Sequence, residues 1–230
     1  MDEFKMETIN RVTLSQQVLD KIIYLIVEGQ LQPGDKLPSE IDLINQFDVS
    51  RPVLREAFSS LESLGIINRR PRGGTFINDK VDSAPFKAML AISINNIPAI
   101  IEARMTLELG LITLAAEKIT DKELDELRET INRIKYSEDN NYGMYDKKFH
   151  RIIAYSADNQ IVEGMIDPLL YAHDKTDRLI KYREQEKTVR HHEAIYEALK
   201  KRDPIEAFHQ LYKHLSYVRE KILHDEKNRN

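Results

Sequence analysis

Apolar positions along the first third of this chain follow helical spacing, then break, then recur. Leu14, Val18, Leu19, Ile22 and Ile26 predict a helix that stops near Gly29. Leu31-Gln32-Pro33-Gly34-Asp35-Lys36-Leu37-Pro38 is rich in turn formers and predicts a connection. Ser39, with Asp42 three residues on, resembles a capping box for a short helix carrying Ile41, Leu43, Ile44 and Phe47. Ser50 is placed to cap a third helix running to about Leu64, where Pro52 is tolerated in the first turn and Gly65 supplies the stop. On that helix Val53, Ala57, Leu61 and Leu64 form the expected inward stripe, while Arg51 and Arg55 share another face near its start. Residues 66–77 then read as two short strands joined by a basic tip containing Gly73 and Gly74.

Beyond this point strand patterns vanish. Asn78–Pro85 is polar, ends in proline and suits a linker. A weakly amphipathic stretch covers 85–94, and Pro98 sits near the start of a longer helix reaching about Ile119. Thr120 with Glu123 predicts a capping box for a helix to about Lys135. Further helices are expected at 142–155, after Asn159, and on either side of Asp203-Pro204. The expected fold is mainly α. Residues 8–79 make a winged helix-turn-helix, 80–97 a linker and first helix, and 98–225 an antiparallel all-α bundle.

Charge changes the picture only locally. The 230 residues carry a net charge of −4, and residues 1–79 hold nine Lys and Arg against twelve Asp and Glu. Within 51–72, however, lie Arg51, Arg55, Arg69, Arg70 and Arg72 against Glu56 and Glu62, a local basic surface of the kind that DNA requires. Absence of cysteine restricts any metal site to nitrogen and oxygen ligands. The start, Met1-Asp2-Glu3-Phe4-Lys5, lacks the pattern of a signal segment, and no apolar run approaches the roughly 18 residues of a membrane span, so a cytoplasmic protein is expected.

Candidate chemistry falls at two places. Arg51 and Arg55, at the end where a recognition helix meets DNA, can hold phosphates or reach guanine edges, and Arg72 beside Gly73 and Gly74 can approach a narrow minor groove. Taken alone, both features also suit an ordinary surface helix and hairpin. In the second half, Asp146 and His150 stand one helical turn apart on one face. His192 shares a face with Val189, Ile195, Tyr196 and Leu199, and His214 with Ala207, Leu211 and Val218, so both imidazoles should point inward. Each alone suits a hydrogen-bonded core histidine. His191 lies about 100° round the helix from His192, nearer Lys187 and Ala198, while His173, His209 and His224 read as surface or structural. Arg104 interrupts the apolar stripe Ile100, Leu107, Leu111 and Leu114, so its guanidinium needs a buried partner: Glu108 one turn on, or the carboxylate of a ligand.

Three runs carry a family resemblance. Gly29 through Glu40 (GQLQPGDKLPSE), Val49 through Phe58 (VSRPVLREAF) and Gly73-Gly74-Thr75-Phe76 resemble the winged helix-turn-helix of GntR-family regulators, and the second half resembles the FadR-like branch with the helical ligand-binding domain called FCD. The likeness spans roughly 12–223. It implies that Arg51 and Arg55 contact operator DNA and that Gly73 and Gly74 sit in the wing; Ser50 and Arg72 complete the expected DNA-contacting set. Many relatives have an arginine where this chain has Ile41, so one backbone contact is missing from the pattern. Asp146-x-x-x-His150, His192 before Glu193-Ala194-Ile195, and His214-Leu215 match the metal-binding subset of FCD domains. The resemblance implies one divalent transition metal per chain, with zinc, nickel, manganese and cobalt all suited to three imidazoles and a carboxylate. It also implies a small organic acid as effector, which suits Arg104 as the anchor of a ligand carboxylate, and a homodimer on double-stranded operator DNA.

A dimeric repressor whose operator binding is modulated by the effector is therefore expected, with half-sites about 34 Å apart or a multiple of this. A metal-dependent hydrolase is the alternative, disfavoured because no general base stands beside the expected ligands and the winged domain would go unexplained. A purely structural metal is a third possibility.

Overall fold

The computed structural model describes residues 12–80, 83–138, 142–177 and 184–227, without the side chains of 173–177 and 225–227. The N-terminal pentapeptide, part of the linker and the His173 side chain lie outside the described residues. The chain divides into two compact units, Met1–Pro85 and Phe86–Asn230.

In the first unit, Thr13 caps α1 (Leu14–Val27) by accepting from the Gln16 amide. Ser39 accepts from the Asp42 amide at 3.2 Å to open α2 (Glu40–Phe47), and Asp48, in the left-handed region, closes it. Helix α3 (Arg51–Ser63) starts after Ser50, whose extended backbone fits an N-cap although its hydroxyl makes no capping hydrogen bond. Strands β1 (Ile67–Arg70) and β2 (Gly74–Ile77) pair antiparallel, with Arg70 opposite Gly74 and Ile67 opposite Ile77. Lys36 forms an isolated antiparallel bridge with Phe76 on the other side of β2, which ties the segment before α2 to the two-stranded sheet. Val18, Leu19 and Ile22 of α1 pack with Leu54, Phe58 and Leu61 of α3 and with Ile67 and Ile77 of the hairpin.

The inward face of α3 therefore differs from the expected stripe. Leu54, Ala57, Phe58 and Leu61 are buried, Val53 is half-buried and Leu64 is exposed. Both stripes contain Ala57 and Leu61, and burial of Phe58 and Leu54 rotates the helix toward its larger apolar surface.

The second unit is all helical among the described residues. Its elements are α4 (Ala84–Ser93), α5 (Ile97–Lys118), α6 (Asp121–Lys135), α7 (Gly143–Ser156), α8 (Gln160–Asp177), α9 (Gln185–Lys200) and α10 (Pro204–Lys227), α4 beginning at the boundary between the units. Thr120 and Glu123 form the reciprocal capping box of α6. Asp203 accepts from the Ile205 and Glu206 amides where α10 begins. The long helix α5 packs against α7, α8 and α10, and α9 packs against α6 and α10. Ile112, Leu127, Ile131, Ile134, Phe149, Ile195 and Leu199 fill the core at no exposure. Helices α5, α6 and α8 pack against α7, the element that carries Asp146 and His150.

Candidate metal centre and DNA-reading surface

Helix α7 delivers Asp146 and His150 one turn apart because Phe149 and Ile153 draw that face into the core. Helix α9 brings His192 in beside Ile195 and Leu199, and α10 brings His214 between Leu211 and Leu215. One ligand atom from each of Asp146, His150, His192 and His214 lies within 4.8 Å of the others, and all four residues are buried. His150 Nε2 is 3.2 Å from His214 Nε2, and His192 Nε2 is 3.2 Å from Asp146 Oδ1. Two ligands each about 2.1 Å from a shared ion sit roughly 3.0–3.4 Å apart, so both separations fit a common cation.

Glu108 fixes the direction of this set. Its Oε2 lies 2.6 Å from His150 Nδ1, and its Oε1 accepts from Arg104 Nε at 2.8 Å. Burial pushes the Glu108 carboxyl up, but the Arg104 charge, the His150 charge and the hydrogen bonds from both outweigh it and lower it to about 2. An ionised carboxylate only accepts, so His150 donates from Nδ1, which leaves Nε2 as the ring nitrogen that faces the cluster. Burial, then the neighbouring His192 and His150, hold His214 well below the ordinary histidine range and so keep it neutral, the ligating form. The His192 ring stacks on Phe149 at 3.9 Å between centroids, which locks its orientation.

Arg104 is buried, and its partner is Glu108. The residue that orients a histidine of the cluster is thus also the counter-ion of the arginine. Sequence reasoning placed Glu108 only as a salt-bridge partner; its i+4 spacing from Arg104 was visible, its distance to His150 on another helix was not. His191, expected near Lys187 and Ala198, is half-buried, with its ring edge-on to His214 at 5.6 Å and to Tyr217 at 5.5 Å. His209 and His224 are exposed.

On the first unit, Ser50, Arg51 and Arg55 are exposed at the start of α3. Arg72 and Gly74 take positive φ in and beside the turn joining β1 to β2, at 60° and 107°, and Gly73 lies between them. Of the arginine cluster, Arg69 is engaged elsewhere. It reaches Glu62 at 2.7 Å and 3.0 Å, because it faces α3 rather than the exposed side of the sheet.

The first unit is a winged helix-turn-helix and the second an all-helical bundle, the pairing found in a class of bacterial transcriptional regulators. Residues 14–77 match the family of bacterial regulatory proteins known as gntR, and residues 99–217 match the FCD domain. The HTH-type transcriptional regulator YcbG of Bacillus subtilis is 56% identical over 97% of this chain and 96% of its own length. The HTH-type transcriptional repressor NanR of Cronobacter sakazakii is 30% identical over 90% of this chain and 85% of its own. A GntR structure from Streptococcus agalactiae superposes with a TM-score of 0.62 at 24% identity, covering 90% of this chain and 99% of that one, and supports the fold. The chain belongs to the GntR family, as a transcriptional regulator with an FCD domain. These relatives are regulators, not enzymes. No helix among the described residues is long and apolar enough to cross a membrane.

Proposed function

We propose that this regulator is a cytoplasmic, homodimeric repressor whose grip on operator DNA is set by a small carboxylate bound at a metal ion in the helical bundle. Asp146, His150, His192 and His214 would hold the ion, one per chain, with zinc, nickel, manganese and cobalt all compatible with the donor set. Ser50, Arg51, Arg55, Arg72, Gly73 and Gly74 would face the duplex. The repressor role rests on the likeness to NanR, which is named a repressor.

The observation that carries this reading is the convergence of four buried donors from α7, α9 and α10 at one point, joined to Arg104 through Glu108. Charge supports a carboxylate effector. Glu108 compensates Arg104, and Asp146 compensates half of a divalent cation, which leaves one positive charge in a water-poor interior. A monocarboxylate held by the ion and by the terminal nitrogens of Arg104 would balance it. Release of DNA then follows only to the extent that the effector binds one conformation better than the other.

The tight Arg104–Glu108 pair also favours a second reading, in which the ion merely ties three helices and the trigger lies elsewhere. Elemental analysis of exhaustively dialysed protein tests the site: about one transition-metal ion per chain is expected in the parent and a small fraction of that in His214→Ala. Metal-free parent protein that melts normally would sink both readings.

A further inference from the structure

The wing carries charge that the recognition helix does not account for. Strand pairing places Lys36, Phe76 and Asn68 in one row across the sheet, with Arg70 and Gly74 two residues along on the same face. That face is outward: Leu37, Thr75, Ile77 and Ile67 are buried on the opposite one. The Arg70 guanidinium lies over the Phe76 ring at 4.4 Å, and the Lys36 ammonium approaches the same ring at 5.8 Å. The aromatic ring therefore seats both cations from either side of β2. Gly74 makes room for this, since a Cβ there would stand 2.7 Å from Lys36 Cε. Lys36, Ser39, Glu40, Arg70, Arg72 and Gly74 line a hollow of about 570 Å³. Lys36, Arg70 and Arg72 have no ion-pair partner among the described residues, and Glu40 is the acid that opposes them.

We propose that this outer face of the wing sheet is a phosphate-binding platform, with Lys36 and Arg70 as its cations, that grips the DNA backbone regardless of sequence. The hollow is open and cationic, and its cations are held in place by ring contacts rather than by carboxylates. Such groups contribute affinity and register, while base-edge contacts elsewhere supply specificity. The proposal rests on the DNA-binding role of the family.

The test is the affinity of the full metal-loaded protein for a mixed-sequence duplex across a salt series from about 0.05 to 0.2 M. Lys36→Gln and Arg70→Gln should each lower the slope of log affinity against log salt by about 0.9, and the double variant by about 1.8. Lys36→Arg, which keeps the charge, and Lys21→Ala, which removes an exposed cation from α1, should retain the parent slope. Parent slopes in both Gln variants, with Arg51→Ala still lowering it, would overturn the platform but not the DNA reader. Parent slopes in all three would overturn both. An equal loss in Lys21→Ala would show that total charge alone matters and would also overturn the proposal. Melting curves matching the parent are expected for every variant, since Lys36 and Arg70 are exposed.

Discussion

Glu108→Gln removes one negative charge from the centre of the bundle while keeping shape and one acceptor oxygen. Two routes give the size of the effect. The fall of the Glu108 carboxyl from an ordinary 4.5 to about 2 corresponds to about 3 kcal/mol at about 1.4 kcal/mol per pH unit. Breaking a buried ion pair by removing one partner costs roughly 3–5 kcal/mol, because the remaining charge is left uncompensated; here that charge is Arg104, 4% exposed. For a unit the size of Phe86–Asn230, about 3 kcal/mol lowers Tm by roughly 6–12 °C. Melting of the metal-loaded protein at neutral pH, followed by calorimetry, measures it. The double variant Arg104→Met with Glu108→Gln leaves neither charge stranded and should melt above the sum of the two single effects by at least about 1.5 kcal/mol. Glu108→Gln melting within about 1 °C of the parent, or strict additivity in the double variant, would refute the claim that this pair is a buried, charge-balanced unit.

Three further outcomes follow from the same geometry. Because the folded-state value of Glu108 is depressed, its contribution to stability is present above about 4.5 and is lost as pH falls toward about 2; Glu108→Gln should flatten the acid limb of stability against pH over that window, read by denaturant titration. Phe149→Ala deletes a fully buried ring stacked on His192, so a loss of about 3–5 kcal/mol in chemical denaturation is expected, with weaker metal retention in competition against a chelator. Thr120→Ala removes the hydroxyl half of the α6 capping box and should cost about 1 kcal/mol without changing metal content, measured by urea midpoint and elemental analysis.

Helix positions were legible wherever punctuation was strong. Thr120 and Glu123, Asp203-Pro204, Ser39 with Asp42, and Gly65 mark boundaries by local chemistry, and the structure places helix ends at them. Faces were less legible. The α3 stripe drawn through Val53 and Leu64 turned out to run through Leu54 and Phe58, since two helical rows share Ala57 and Leu61 and only tertiary packing chooses between them. For the candidate site, the i, i+4 spacing of Asp146 and His150 and the apolar faces holding His192 and His214 were written in the sequence. Their convergence was legible only through the family resemblance, because spacing alone does not say how α7, α9 and α10 cross. Glu108 is the clearest case: local spacing predicts its bond to Arg104, while its contact with His150 joins residues 42 positions apart. Likewise Arg69 belonged to the basic cluster by sequence, and only strand alternation turns it toward Glu62 while exposing Arg70.

The central claim is that metal and arginine together receive a small carboxylate, and a thermal-shift screen of the metal-loaded protein against a panel of such acids tests it most directly. A ligand that binds only the folded state must raise Tm. The account predicts at least one acid that does so in the parent and fails to do so in both Arg104→Ala and His192→Ala. A stabilising acid whose effect survives in either variant, or a broad panel without any shift in a protein whose melting still depends on metal, would contradict it.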